Sequence, residues 1–351
     1  MNKKFWKNKK VFITGHTGFK GSWLSIWLNE LGAKVTGYSL KPQTQPSLFE
    51  TCLISKKVNS FIGDIRDYKK LKEKISLAKP DIIIHMAAQA LVLDSYEDPM
   101  KTYQTNLMGT VNILNAIRDI SSIKVLINVT SDKCYENNDD FRAFKEDAPM
   151  GGFDPYSSSK ACSELITAAY RTSFFKNNVA IATARAGNVI GGGDWASNRI
   201  IPDFIKEAHQ NRKLSIRNPK AIRPWQFILE PLSGYLILAE KLFQKGFDYA
   251  ESWNFGPNDQ GDKSVEWLIS NFDKEYNGKK NFKILLNKST AYESNYLKLD
   301  CSKSLKRLNW APKLNIEKSI SMTCDWYKNF YKKDLDMYSF TIEQIKQYES
   351  I

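Results

Sequence analysis

Histidine is scarce in this chain: His16, His85 and His209 are the only three among 351 residues. They form no His-Glu-x-x-His run and no Cys/His cluster, so a dedicated zinc centre is not expected and the chemistry is read as metal-free. Cysteine is sparse as well. Cys52, Cys134, Cys162, Cys301 and Cys324 are odd in number and scattered, without a Cys-x-x-Cys pair, which fits reduced thiols and not a disulfide framework. The longest apolar runs, such as 81–86, fall far short of the roughly 20 residues that cross a bilayer. The basic opening MNKKFWKNKK leads into a strand pattern, not into an apolar leader. A cytoplasmic protein without a membrane segment is the expectation. No repeat of fixed period and no low-complexity linker occurs.

What is present is an ordinary globular balance, 42% hydrophobic and 25% charged, with a formal net charge of +13. A lysine-rich surface accounts for most of that charge. The functional alternative is attraction of an anionic ligand such as a nucleotide diphosphate. Lysines lie along the whole chain, interleaved with Asp and Glu, which argues against a nucleic-acid-binding arm.

Short apolar runs alternate with helical patterns through the first half. Strands are expected at 10–14, 34–40, 81–87, 124–130 and 179–186, and helices at 21–31, 99–117 and 156–174. This pattern predicts an α/β fold: a doubly wound parallel Rossmann-type sheet with a smaller, partly interleaved C-terminal substrate domain. The expected division is 1–188 plus roughly 226–256 for the dinucleotide-binding domain, and 189–225 plus 257–351 for the substrate domain. Ligands of such sheets bind beyond the carboxyl ends of the strands, where every motif below falls.

Gly15-His16-Thr-Gly18-Phe19-Lys-Gly21 follows the first strand and opens the first helix. Glycines here permit a tight turn and a close approach of backbone amides to a pyrophosphate, and the helix N-terminus favours the anion. About 20 residues on, where an acid ordinarily holds the adenosine ribose, stands Ser39. Asp64 and Ile65 follow the next strand; Asp64 reads either as an adenine-side contact or as a helix N-cap. His85, Ala87, Ala88 and Gln89 end the fourth strand. His85, in an apolar run, reads as a core histidine. Asn106 reads as structural.

Tyr156 and Lys160 are separated by one helical turn and share a face. A neighbouring ammonium lowers a phenol pKa, so Tyr156 is the candidate base for a sugar hydroxyl. Tyr68 with Lys72 and Tyr276 with Lys280 have the same spacing, and only Tyr156 follows a strand end carrying further chemistry. That end is Thr130-Ser131-Asp132-Lys133. A hydroxyl suffices for redox chemistry; the added carboxyl and amine suit an acid and a base for elimination. The alternative is a surface turn.

The blocks VFITGHTGFKGSWLS, TSDKCY, DPYSSSKA, RAGNVIGGGDW, AIRPWQ, WNFGPND and YLKLDCSK run nearly the whole length of the chain. They resemble the nucleotide-sugar 4,6-dehydratase family of extended short-chain dehydrogenases/reductases, and within it the CDP-glucose 4,6-dehydratases. The resemblance implies NAD as cofactor, held by Gly15, His16, Gly18, Phe19, Gly21, Ser39, Asp64, Ile65, Ala87, Ala88, Tyr156 and Lys160. It implies a nucleotide-sugar substrate contacted by Gln89, Arg185, Asn188, Arg217, Arg223 and Tyr296. Arg185, Asn188 and Arg223 also read as structural salt bridges or strand caps. The implied roles are Tyr156 as C4-hydroxyl base, Lys160 as its partner, Ser131 on O4, Asp132 as acid at C6 and Lys133 as base at C5. A homodimer or homotetramer through helices 99–117 and 156–174 is also implied. Ala90, Leu93 and Asn295 depart from the family pattern and leave fine substrate selection open. An epimerase on the same scaffold, and a non-catalytic Rossmann-fold binding protein, are the alternatives.

Overall fold

The computed structural model describes residues 2–139, 142–216, 218–258, 261–284 and 296–351, so Arg217 and Asn295 lie outside the described residues. Its centre is a parallel sheet built from β1 (Lys10–Thr14), β2 (Lys34–Ser39), β3 (Asn59–Ile62), β4 (Ile82–His85), β5 (Val125–Val129), β6 (Ala180–Ala186) and a last strand, Ser252–Phe255. The spatial order is Ser252–Phe255, β6, β5, β4, β1, β2, β3. Chain direction of the order reverses between β1 and β4, the switch point at which such sheets open a ligand crevice.

The strands read as continuous apolar runs because both faces are covered. Alternate residues feed two separate cores. Val11, Ile13, Ile82, Ile84, Val125, Ile127 and the alanines of β6 join one core. Phe12, Ile83, Leu126 and Ile181 join the other. The alanines 180, 182, 184 and 186 let the Leu229–Lys245 helix lie close on the first face. The Tyr68–Ala78, Gly109–Ala116 and Pro155–Phe174 helices cover the second.

The single helix expected over 99–117 is instead Pro99–Tyr103, a widened π turn at Gln104–Met108, then Gly109–Ala116. The extra residue in that turn carries Asn106 inward. Its side chain accepts from the Gln89 amide (2.8 Å) and donates to the Gln89 carbonyl (2.9 Å) and Ser159 Oγ (2.9 Å). Asn106 thereby ties the end of β4 to the Pro155–Phe174 helix, the structural part read for it in the sequence.

Beyond residue 190, apart from Leu229–Lys245 and Ser252–Phe255, the chain forms short paired strands and helices, among them Ile222–Pro224 against Asp262–Ser264. Ile316–Lys332 packs there on the Val265–Tyr276 helix, whereas the last helix, Met337–Ser350, returns to the first half. Met337–Ser350 packs on the Phe19–Glu30 helix of the first half, with Trp27 Nε1 donating to Glu349 (2.9 Å) and the Trp27 ring edge-on to Tyr348. Buried Glu230 anchors the same region. It accepts from the amides of Lys313 (2.9 Å) and Leu314 (2.7 Å) and from the Tyr348 hydroxyl (2.7 Å).

Removing that carboxylate strands three donors. We expect Glu230→Ala to cost about 3 kcal/mol, and Glu230→Gln less than half as much, read as a lower urea midpoint with an unchanged slope.

Candidate active site

The cradle at the end of β1 is shaped by two positions where only hydrogen fits. Gly15 sits at φ +79°, and a Cβ on it would lie 2.8 Å from the Ala87 nitrogen. A Cβ on Gly21 would lie 2.1 Å from the Gly15 carbonyl oxygen. Gly18 is the N-cap of the Phe19–Glu30 helix and offers no side chain to its amides, so those donors face the crevice. This is the fit a pyrophosphate needs. Thr14 Oγ1 accepts from the amides of Met86 and Ala87, both at 3.1 Å, which fixes Ala87 and Ala88 beside the cradle. With both accepting directions used, Thr14 donates to His85 Nδ1 (2.7 Å), so the imidazole proton is on Nε2. Burial pushes His85 down to about 3. It is a neutral core histidine, in line with its reading from the sequence.

Ser39 and Thr17 share a hydrogen bond (2.9 Å) at the end of β2. Asp64 is clamped by Arg66, with an N–O distance of 2.6 Å, and that hydrogen bonding holds its carboxyl below the usual range. Ile65 is buried against Gly109. The His16 side chain lies outside the crevice. It tucks under Gly37, bonds Ser60 Oγ through Nε2 (2.7 Å) and meets Phe49 edge-on. It therefore does not crowd a ligand in the crevice.

At the end of β5, Ser131 caps a short 3₁₀ turn, Asp132–Cys134. Asp154 caps the Pro155–Phe174 helix by accepting from the Ser157 amide (2.9 Å), with Pro155 at the first position. The two elements meet. Ser131 Oγ donates to Asp132 Oδ1 (3.0 Å) and lies near enough to the Tyr156 phenol to favour its ionised form. Asp132 is buried beside Gly187, and its Oδ2 has no hydrogen-bond partner. Burial pushes its carboxyl up, against the charges of Lys133, Lys20 and Arg223. A buried carboxyl pushed toward its acid form, with Oδ2 unpartnered, suits proton donation to a substrate oxygen. Lys133 follows on the same turn and is half-buried.

Burial also pushes the Tyr156 phenol up to about 12; the Ser131 hydrogen bond and the Arg199 charge oppose it. The protein's own charges, Lys160 included, do not bring the phenol toward neutrality, contrary to the expectation from spacing alone. Burial lowers Lys160 to about 8, against the Glu164 charge. Tyr156, Lys160 and Glu164 lie at successive i, i+4 positions on one helical face.

Glu164 explains the position of Arg185. The two form a buried bidentate pair, Nε–Oε1 2.9 Å and Nη2–Oε2 2.8 Å. The remaining Arg185 donor bonds the Tyr135 hydroxyl (2.7 Å) and the Glu146 carbonyl (3.0 Å). Each guanidinium nitrogen is thus bonded within the core. Of the two readings open in the sequence, the salt bridge is the one the structure places here, not a ligand contact. Gln89 is similarly engaged: its side chain bonds the Leu91 backbone and Thr102, shaping its own loop. Arg223 is buried close enough to Asp132 for its charge to be felt there. Asn188 is half-buried just after β6, its carbonyl accepting from the Gln226 amide (3.0 Å). Tyr296 bonds through its backbone to Asn137 and Asp139, and Arg217 lies outside the described residues.

Three residues that the sequence reading passed over belong to the crevice. Lys20 projects from the first turn of the Phe19–Glu30 helix, within electrostatic reach of Asp132, Lys160, Asp194 and Arg199. Arg199 pairs with Asp194 (2.9 Å) and acts on the Tyr156 phenol. The Tyr327 hydroxyl holds the Asp194 carbonyl (2.5 Å) and so fixes that loop. Lys20 was concealed within a motif read for its glycines.

Glu164→Ala leaves Arg185 buried without its partner, and we expect a loss of about 3–5 kcal/mol in chemical denaturation. The Glu164 pKa is depressed in the folded state. Its contribution is therefore complete above the ordinary glutamate value of about 4.3 and lost as pH falls through the lower folded value; Glu164→Gln should remove that share of the acid slope. For the phenol, Tyr156→Phe should remove no phenolate absorbance from the protein alone at about pH 10, where an ordinary tyrosine is half ionised.

A family profile described as GDP-mannose 4,6 dehydratase matches residues 12–323. The chain is 46% identical to a CDP-glucose 4,6-dehydratase of Salmonella typhimurium over 100% of this chain and 99% of that protein. It is 23% identical to a UDP-glucose 4-epimerase of Mycoplasma pneumoniae over 92% of this chain and 98% of that protein. Its fold matches a dTDP-glucose 4,6-dehydratase of Bacillus anthracis solved with NAD, at a TM-score of 0.77 and 21% identity, covering 92% and 98% of the two chains. Crevice, capped catalytic helix and family profile agree: the chain belongs to the GDP-mannose 4,6 dehydratase family.

Proposed function

We propose that the protein converts CDP-glucose to CDP-4-keto-6-deoxyglucose and water. The observation that carries this reading is Asp132. Oxidation and reduction at C4, all that an epimerase requires, need Ser131, Tyr156 and Lys160. A buried carboxyl that burial pushes toward its acid form, with one oxygen unpartnered, has work only if an oxygen must leave. The 46% identity to a CDP-glucose 4,6-dehydratase over the whole chain supports the same substrate.

The glycine cradle and its free helix amides fit NAD. Gly15, Gly18, Phe19 and Gly21 would hold its pyrophosphate, Ser39, Asp64 and Ile65 its adenosine end, and Ala87, Ala88, Tyr156 and Lys160 its nicotinamide end. Bound there, NAD supplies a reversible two-electron acceptor for sugar C4. The side chains then manage protons. With the positive charge of the bound cofactor favouring its ionised form, Tyr156 would take the proton of the C4 hydroxyl. The C4 carbonyl acidifies the C5 hydrogen, and Lys133 is the amine nearest in sequence to receive it. Asp132 gives its proton to the C6 oxygen, which leaves as water. Ser131, which donates to Asp132 Oδ1 and acts on the Tyr156 phenol, stands between the two ends of this exchange. The proton gained by Tyr156 can thus restore Asp132, and the count closes over one turnover. Arg223, Asn188, Arg217 and Tyr296 are the proposed substrate contacts.

Met108 (48% exposed) and Leu165 (58% exposed) stand on the outer faces of helices 99–116 and Pro155–Phe174, which supports a homodimer or homotetramer through them. Among the described residues no helix is long and apolar enough to cross a membrane. A cytoplasmic location and the two-part division near residue 190 remain parts of this proposal.

Incubation with CDP-glucose and NAD should give a keto sugar lighter by one water, with no net NADH. Tyr156→Phe should lower kcat by about 10²–10⁴-fold, and Asp132→Asn should abolish water loss. Conversion to CDP-galactose without loss of water would establish the epimerase instead.

A further inference from the structure

In a parallel sheet every helix-to-strand connection enters at the amino ends of the strands, on the side away from a crevice built at their carboxyl ends. Here that edge repeats one residue type. The Lys124 amide donates to the Asp81 carbonyl (2.9 Å), and the Asp81 amide to the Lys10 carbonyl (2.9 Å). Lys10 stands opposite Lys34, and the register pairing Thr36 with Asn59 brings Lys57 to the same end. Four lysines thus mark the starts of five neighbouring strands, a width of about 20 Å at the usual strand spacing. Lys79 and Lys176 belong to the connections that lead into β4 and β6. All six are exposed, and none forms an ion pair among the described residues.

The acids at this edge do little to balance them. Asp119 is paired with Lys72 (3.0 Å), Glu251 with Lys303 and Arg307, and Asp81 gives one carboxylate oxygen to the Lys10 amide (2.8 Å). Glu30 and Asp248 stand exposed there, outnumbered by the lysines. Large apolar side chains are set among the charges. Leu53, Leu77, Phe174 and Phe247 are all exposed, Leu77 by 65%, and each stands where a helix hands over to the next strand. A basic face of this breadth repels a second copy of itself. A nucleic acid offers phosphates but no apolar layer for Leu53 and Leu77. A lipid surface offers both: phosphates for the lysines and, just beneath, the acyl boundary for the apolar side chains. We infer that the amino edge of the sheet docks on an anionic lipid membrane, with the crevice facing the aqueous side.

Docked in this way, the Gly15 turn and Asp132, which follow the carboxyl ends of β1 and β5, stay open to a dissolved ligand. The contact uses no spanning segment, and among the described residues no helix is long and apolar enough to be one. It is reversible: each lysine near the headgroups contributes about fivefold in partitioning, and that share is screened as salt rises.

Sedimentation of the full chain with lipid vesicles tests the inference. The protein should pellet with phosphatidylcholine vesicles that contain phosphatidylglycerol and stay in solution with phosphatidylcholine alone, and the bound fraction should fall as sodium chloride rises. Lys34→Gln combined with Lys124→Gln should weaken binding by roughly 25-fold, about fivefold for each charge. Lys213→Gln combined with Lys220→Gln removes the same charge from exposed positions beyond residue 190 and should leave binding within about twofold. Leu77→Ser combined with Phe174→Ser should weaken binding at every salt concentration without a change in charge. Urea midpoints matching wild type confine each comparison to folded protein. On vesicles, backbone deuterium exchange should slow at 53–57, 77–81, 118–124 and 174–179 and stay unchanged at the Gly15 turn. Equal losses in the two lysine pairs make the attraction a property of total charge and overturn the docking edge. So does retention on RNA without binding to anionic vesicles, which makes the row a nucleic-acid surface. Failure to bind either, or slowed exchange at the crevice in place of these connections, overturns it as well.

Discussion

Glu164 sits on the catalytic helix with no access to water, and a charge in that position persists only when its oxygens are fully bonded. Thr130 and Arg185 supply donors to one oxygen, Thr183 and Arg185 to the other. These partners come from the ends of β5 and β6, so the carboxylate fixes the helix against both strands in rotation and in height. Tyr156 and Lys160 are carried on the same face of that helix, and Ser131 and Asp132 follow directly from β5. The relative placement of all four depends on one buried ion pair, which supplies the sub-ångström positioning that proton transfer requires. Arg185 passes the constraint outward through Tyr135 to Asn254 on the last strand of the sheet.

The crevice gathers cations: Lys20, Lys133, Lys160, Arg199 and Arg223 stand around the buried carboxyls of Asp132 and Asp194. Mutual repulsion and desolvation favour the neutral amine, while desolvation favours the neutral carboxyl. The two shifts run in the directions that elimination of water needs. The same collection of charge suits an anionic nucleotide ligand, so part of the net +13 has a local use.

The order of strands and the cradle were legible because they depend on local pattern. Buried parallel strands are apolar throughout, and Gly15 and Gly21 stand where any side chain would strike backbone. Asp132 was legible from its place at a strand end. What could not be read was direction. His16 carries a motif position yet turns into the core because Gly37 leaves it room. Arg185 looked available to a phosphate, but its partner, Glu164, is 21 residues away on another element. Lys20 and Arg199 acquire meaning only when a helix and a loop distant in sequence share one wall.

The Phe19–Glu30 helix both opens the cradle and receives the carboxyl-terminal helix, with 322 residues separating Trp27 from the glutamate it bonds. During synthesis, the indole of that helix waits for almost the whole remaining chain to leave the ribosome before its contact can form. Until then the outer side of the first βαβ unit is uncovered, and the nascent nucleotide half is exposed to chaperones and proteases. Maturation of the cradle is thus linked to synthesis of the Met337–Ser350 helix.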